Sequence, residues 1–125
     1  MNPNEISVCE KMIMKVLWDA EDDLDLNATT GRVNEEFGKE WKVQTVATFL
    51  KRLQKKGYIS TYRSGRYVHY RPLVAKNDFK MSTVTENIRF FDKGNVSAFV
   101  CGLFDNIELS AEDKEKIRKK IDELD

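Results

Sequence analysis

The chain has 125 residues, of which 41% are hydrophobic and 34% are charged, with six glycines and two prolines. This composition favours a helical globular fold over a disordered or collagen-like chain, and the length suits one compact domain, or a domain of about 75 residues with a smaller appendage. No stretch approaches the roughly 20 apolar residues that cross a membrane, and the N-terminus lacks the residue order of a signal peptide, so we expect a cytoplasmic protein without membrane contact.

Charge is distributed unevenly along the chain, although the formal net charge is zero. Residues 42–76 contain nine Lys or Arg and no Asp or Glu, whereas residues 1–41 carry a net charge of −6 and residues 77–125 one of −3. A cationic middle between acidic ends indicates a polyanionic partner such as nucleic acid, although a solvated surface is the alternative interpretation. We call residues 42–76 the cationic segment.

Two helices are predicted in the acidic N-terminal part. Ser7 and Glu10 have the spacing of a capping box, which marks a helix start, and an apolar stripe predicts a helix at residues 8–20. Asn27 is placed to cap a second, shorter helix at residues 28–37.

The clearest helical pattern lies at residues 43–56. Val46, Leu50 and Leu53 recur at helical spacing, and Gly57 supplies the C-terminal stop. The opposite face carries hydroxyl and amide side chains in the first two turns and cations further on. That order suits a helix whose N-terminal half meets base edges in a DNA major groove, while its later cations contact phosphates.

Alternating residues next predict two strands, at 58–62 and 67–71, joined by a turn at residues 63–66. Gly65 permits the positive φ that such a turn requires. Two strands are marginally stable alone in water, so the hairpin must pack on the preceding helices. Three helices followed by a hairpin form the winged-helix arrangement, and we therefore predict a winged helix-turn-helix DNA-binding domain at residues 1–75.

Three further amphipathic helices are predicted in residues 76–125, with Ser110 as the N-cap of the last. About 45 residues in three short pieces bury little apolar surface within one chain, so their faces require either a second copy or the winged-helix core. We favour the second copy and predict a helical dimerisation segment. Its predicted contact residues are Ile88, Val96, Phe99, Val100, Leu103, Phe104, Ile117, Ile121 and Leu124.

An ordered set of residues runs through both parts of the chain. It comprises Ile6, Ser7, Glu10, Met14, Leu17 and Trp18, then Trp41, Thr45, Val46, Thr48, Leu50, Arg52, Leu53 and 55–57, then Tyr62 and 69–74, and finally 94–97 and 109–113. In this order the residues resemble the penicillinase-repressor family of bacterial winged-helix regulators, over nearly the whole chain.

The resemblance implies a homodimer that binds a palindromic operator in double-stranded DNA and blocks transcription. The helix at 43–56 would enter the major groove, and the wing at 62–67 would contact the backbone or the minor groove. The expected DNA-binding residues are Lys42, Gln44, Thr45, Thr48, Lys51, Arg52, Lys55, Arg63 and Arg66. The alternative is a winged-helix protein-interaction module whose basic face docks an acidic partner.

In this family a sensor or protease relieves repression, but neither known trigger is present in the sequence. The penicillinase branch is cut at an Asn-Phe pair where this chain has Gly102 and Leu103, and the copper-responsive branch has a C-terminal cysteine cluster where Cys101 stands alone. We expect Cys9 and Cys101 to be buried thiols, with no metal or cofactor. Because no nucleophile adjoins the single histidine, His69, we expect no catalytic residues and no enzyme activity.

Overall fold

The computed structural model describes residues 5–125, which form six helices and a three-stranded antiparallel sheet. In chain order the elements are α1 (Val8–Asp19), β1 (Leu24–Asp25), α2 (Leu26–Phe37), α3 (Val43–Lys55), β2 (Ile59–Ser64), β3 (Tyr67–Pro72), α4 (Lys76–Asp92), α5 (Val96–Asn106) and α6 (Ala111–Asp122). The chain divides into two compact units, unit 1 (Met1–Lys80) and unit 2 (Met81–Asp125). The mainly α architecture with a β-hairpin is the predicted one.

The core of unit 1 forms where α1, α2 and α3 meet the sheet. Its buried apolar residues are Ile13, Met14, Val16, Leu17, Leu24, Val33, Val46, Leu50, Leu53 and Ile59. Three of them, Val46, Leu50 and Leu53, form the apolar stripe predicted for α3. Burial of this stripe turns the opposite face of α3 to solvent.

The first two helices start at side-chain caps. Ser7 and Glu10 form the predicted capping box, in which the Glu10 backbone N–H donates to Ser7 Oγ at 3.1 Å and the Ser7 N–H donates to Glu10 Oε1 at 2.9 Å. The prediction that Asn27 caps the second helix is wrong. Asp25 is the cap, accepting from the Ala28 N–H at 2.8 Å, because β1 holds its backbone extended and directs its carboxylate to the helix start.

The predicted hairpin is present, but its first strand is longer than predicted. Ser64 pairs with Tyr67, so the turn comprises Gly65 and Arg66 alone instead of residues 63–66. Gly65 has a φ of +64°, and a positive φ at only the first turn position is the pattern of a type II′ turn. With this two-residue turn, the pairing of the two strands continues to the tip of the hairpin.

A third strand, β1, was not predicted. Its residues Leu24 and Asp25 pair with Tyr70 and His69, which gives the sheet the order β1-β3-β2. Two residues are too few to produce an alternating pattern, so the sequence carries no periodic signal for this strand. The pairing attaches the hairpin to the segment between α1 and α2.

A buried ion pair joins α1 to the residue that follows α3. Glu10 is 2% exposed, and its Oε1 and Oε2 accept hydrogen bonds from Lys56 Nζ at 2.8 and 3.1 Å. Lys56 Nζ also donates to the Glu5 carbonyl at 2.9 Å. Burial by itself raises the pKa of the Glu10 carboxyl, but hydrogen bonds from Lys56 and Ser7 outweigh burial and hold that pKa below its ordinary value of 4.5.

The lowered pKa of Glu10 predicts a pH-dependent contribution to stability. Because folding favours the ionised carboxylate, the contribution is complete above the unfolded-state pKa near 4.5 and is lost as the pH falls through the lower folded-state pKa. We expect Glu10→Gln to unfold in less urea than the native protein at about pH 7, and the difference to shrink below about pH 4.5. If the difference in urea midpoint between the two proteins stays constant down to about pH 3, the lower stability of Glu10→Gln results from packing and not from ionisation.

Unit 2 has helices but no core within a single copy. Asn95 and Ser110 cap α5 and α6 by accepting from backbone N–H groups at 3.1 and 3.0 Å, which confirms the cap predicted at Ser110. No side chain in residues 81–125 is buried, and Phe90 and Phe91 are 79% and 74% exposed. Isolated chains rarely leave so much apolar surface in water.

The cysteine prediction is wrong for both thiols. Cys101, in α5, is exposed, because unit 2 has no interior in one copy, and Cys9, in α1, is only partly buried. Within residues 5–125, no group of three or more His, Cys, Asp or Glu side chains is placed to hold a metal ion. Over the same residues, no helix has the length and apolar character to cross a membrane.

Candidate nucleic-acid interface

The polar side chains predicted to bind DNA lie on the solvent face of α3. Successive residues of a helix are 100° apart, so positions 44, 48, 51 and 55 fall on one row, opposite the buried stripe. Gln44, Thr48, Lys51, Arg52 and Lys55 are exposed and Thr45 is partly buried. A shallow groove along this face is lined by Thr48, Lys51, Arg52, Gln54 and Lys55.

The hydroxyl of Thr48 has a defined hydrogen-bond polarity. Its Oγ1 donates to the Gln44 carbonyl at 3.0 Å, so the hydroxyl proton is used within the helix and the oxygen can only accept from a ligand. In a major groove the donors are the exocyclic amines of adenine and cytosine, whereas guanine presents acceptors. Thr48 is therefore suited to an amine-bearing base edge.

Asp23, which lies between α1 and β1, holds the hairpin through contacts along its length. The Tyr62 hydroxyl and Arg71 Nε both donate to Asp23 Oδ2, at 2.8 and 3.1 Å. The Arg71 guanidinium lies 4.5 Å from the centre of the Tyr62 ring, and the His69 ring stacks on Tyr62 with centroids 5.6 Å apart. The hydrogen bond to Asp23 raises the pKa of the Tyr62 hydroxyl, which therefore stays protonated as a donor. The contact of His69 with Tyr62 therefore gives this histidine a structural role in the wing.

Three of the nine cations in the cationic segment are bound by carboxylates from outside it. These ion pairs are Lys56 with Glu10, Arg71 with Asp23, and Lys76 with Asp19. The other six have no carboxylate within ion-pair distance in residues 5–125, and they are Lys42, Lys51, Arg52, Lys55, Arg63 and Arg66. We call these the six free cations. They are the same six cations that were predicted from the sequence to bind DNA.

The sequence could not reveal the three pairings. The partners are 46, 48 and 57 residues apart, and only the fold brings them together. Free cations, by contrast, keep their charge available to a polyanion. The ion pairs therefore concentrate the available positive charge on α3 and the wing tip.

The predicted dimerisation residues occupy α4, α5, α6 and the residues after α6. Val96, Leu103, Phe104, Ile121 and Leu124 are exposed, and Ile88, Phe99, Val100 and Ile117 are partly buried. Unit 2 also has a groove between α5 and α6 whose apolar lining is Phe104, Ile107, Leu109, Ile117 and Ile121. Ile107 and Leu109 were missed because they lie in the connection between these helices, where no helical period exists.

The chain is similar to known proteins both in sequence and in fold. The family model described as penicillinase repressor matches residues 6–123. The methicillin resistance regulatory protein MecI of Staphylococcus aureus (strain N315) is 28% identical over 116 residues, which cover 91% of this chain and 90% of MecI.

Two solved structures share the fold of unit 1. The solution structure of the DNA-binding domain of the repressor BlaI has a TM-score of 0.52 and 28% identity, covering 62% of this chain and 90% of that one. The Bacillus licheniformis BlaI monomer in complex with the blaP half-operator has a TM-score of 0.50 and 30% identity, covering 59% of this chain and 87% of that one. These neighbours confirm the winged-helix prediction.

Proposed function

Since the chain belongs to the penicillinase repressor family, a family of transcriptional repressors and not of enzymes, we propose that it represses transcription as a homodimer on a palindromic DNA operator. The observation that carries the proposal is that three of the six free cations, Lys51, Arg52 and Lys55, are exposed on α3 together with Gln44 and Thr48. Cations that border polar side chains on one exposed helix face suit phosphate contact beside base readout. The protein-interaction alternative is not favoured, because the similar structures include BlaI bound to DNA.

In this proposal α3 is the recognition helix. Its first two turns would place Gln44, Thr45 and Thr48 at base edges in the major groove, and Lys51, Arg52 and Lys55 would face phosphates. Arg63 and Arg66 at the wing tip would reach the adjacent backbone or minor groove. The contacts of Asp23 with Tyr62 and Arg71 support this geometry because they fix the hairpin to the segment between α1 and β1.

The homodimer is proposed because unit 2 exposes its apolar side chains in a single copy. None of its side chains is buried in one copy, and the α5–α6 groove presents five apolar residues to solvent. A second copy would cover such a surface with the same surface, as two-fold symmetric interfaces do. The resulting pair of recognition helices would match two operator half-sites.

Relief of repression by a sensor or protease is also a proposal. Gly102 and Leu103, which stand where the family resemblance implies an Asn-Phe cleavage pair, lie within α5. We therefore propose a trigger other than that cleavage. Cutting of this protein in its host after exposure to a β-lactam would contradict this part of the proposal.

Substitution of a free cation should weaken binding to every duplex. Loss of one phosphate contact lowers the slope of log affinity against log salt by about 0.9, so we expect Lys51→Ala and Arg66→Ala each to show this decrease. The slope is measured by titrating operator and random duplex at several salt concentrations. Lys11→Ala, which removes an exposed cation outside the cationic segment, is the control and should keep the native slope.

Substitution of Thr48 should instead reduce discrimination between sequences. Thr48→Val keeps the shape but removes the acceptor, so we expect operator affinity to fall by about 1–3 kcal/mol while random-duplex affinity stays unchanged. Thr48→Ser keeps the hydroxyl and is the matched control. An equal loss on both duplexes would rule out base readout by Thr48.

The proposed function is tested by selecting bound duplexes from genomic DNA with the purified protein, then titrating the selected duplex against a scrambled one of equal length at two salt concentrations. We expect a specificity ratio above about a thousand, with two chains per site. Weak, equal and steeply salt-dependent binding to both duplexes would overturn the proposal and leave the protein-interaction module.

A further inference from the structure

DNA recognition as described leaves one buried titratable group without a role, the carboxylate of Glu10. We propose that the ion pair of Glu10 and Lys56 is a positioning device, which fixes the C-terminal end of α3 against α1 so that the recognition helix meets DNA in one orientation. Glu10 and Lys56 are then positioning residues, and neither contacts DNA. The inference rests on the proposed role of α3 in DNA binding.

The position of Lys56 in the chain supports this role. Lys56 is the C-cap of α3, and its backbone N–H donates to the Arg52 carbonyl at 2.9 Å. Its side chain crosses to α1, where it binds Glu10 and the Glu5 carbonyl. One residue therefore ends the recognition helix with its backbone and attaches that end to another helix with its side chain.

The hydrogen bonds of Lys56 also separate it from the six free cations. An ammonium group has three N–H donors, and Glu10 Oε1, Glu10 Oε2 and the Glu5 carbonyl occupy all three. A phosphate could take Lys56 only by leaving the buried Glu10 carboxylate without its cation, which is strongly unfavourable. Lys55, the preceding residue, is exposed and free of ion pairs within residues 5–125.

The other end of α3 is attached in a similar way. The Asn34 side chain, on α2, donates to the Trp41 carbonyl and accepts from the Trp41 N–H, both at 3.0 Å, just before α3 begins. Polar contacts therefore attach one end of the recognition helix to α2 and the other to α1. Base readout requires placement within about 0.5 Å, so both attachments bear on specificity.

Neighbouring lysines provide a matched test. We expect Lys56→Met to lower operator affinity about tenfold or more, with random-duplex affinity and salt slope unchanged, because orientation is lost but no phosphate contact is. Lys55→Met should lower affinity for both duplexes and reduce the slope by about 0.9. Lys56→Arg keeps a cation for Glu10 and should restore most of the operator affinity. All titrations are made at a temperature well below each variant's thermal unfolding midpoint, which is determined by circular dichroism.

Two results would overturn the inference. A salt slope reduced by about 0.9 in Lys56→Met would make Lys56 a phosphate contact, and native operator affinity in that variant would restrict the ion pair to a role in stability. If Lys56→Met does not fold, Glu10→Gln weakens the same contact with little change in shape and keeps the lysine. Lower operator affinity at an unchanged salt slope would then support the inference, and native operator affinity would overturn it.

The inference can fail separately from the proposed function. If the native protein prefers no duplex, the proposed function fails, and the attachment is then judged without DNA from amide hydrogen exchange in the last turn of α3. Faster exchange at residues 52–55 in Lys56→Met than in the native protein would support the attachment, and equal exchange would overturn it.

Discussion

Replacing Ile121 with aspartate will separate the proposed dimer while each chain stays folded. Ile121 is 57% exposed in one copy and lines the α5–α6 groove beside Phe104 and Ile117, so the new charge is costly only where a second copy covers it. In a dimer the two recognition helices are linked. Once one helix has bound its half-site, the other is therefore held at a high effective concentration near the second half-site. Their separation should lower affinity for the full operator by about 10²–10⁴-fold, measured by titration alongside sedimentation analysis of mass.

The control for this substitution is Lys119→Asp in the same helix. Lys119 is exposed and lies on the face of α6 opposite Ile117 and Ile121 by the helical period. It changes the net charge by more than Ile121→Asp does, so a general effect of negative charge would be larger in the control. A dimeric Ile121→Asp protein with native operator affinity would exclude the α5–α6 groove as the interface.

Replacing Leu50 with alanine will destabilise unit 1 severely. Leu50 is 1% exposed at the centre of the buried stripe of α3, and truncation of such a side chain leaves a cavity that costs about 2–5 kcal/mol. Whole domains are stable by only about 5–15 kcal/mol. Urea unfolding should therefore show a large decrease in midpoint.

Gln54→Ala is the control for Leu50→Ala, since Gln54 lies on the exposed side of the same helix. Its free energy of unfolding should change by no more than about 0.5 kcal/mol. Under conditions where Leu50→Ala is still folded, its operator specificity should be native, because Leu50 points away from the proposed DNA face. Loss of specificity in the folded variant would show that the core of α3 also controls its orientation.

Periodic and local signals account for the part of the fold that was predicted. The stripe of Val46, Leu50 and Leu53 repeats over about two turns, and the capping box of Ser7 and Glu10 is complete within four residues. Structure that depends on distant partners was not predicted. The strand β1 exists only because β3 pairs with it, and its extended backbone then makes Asp25, not Asn27, the cap of α2.

The same distinction applies to the candidate site. The sequence identified the cations of α3 and the wing because they are concentrated in one segment that lacks acidic residues. It could not separate the free cations from Lys56, Arg71 and Lys76, because their carboxylate partners lie in other parts of the chain. Nor could it show that Cys101 is exposed, because exposure there depends on whether a second copy covers α5.

The position of β2 at one edge of the sheet has a consequence for solubility. Its other side has no strand within residues 5–125, so backbone groups on that edge are open to strand addition by another chain, which is a route to aggregation. Arg63 is exposed near the end of this strand, and charge on an edge strand opposes such pairing. The residue proposed to approach DNA would therefore also protect the protein from self-association when no DNA is bound.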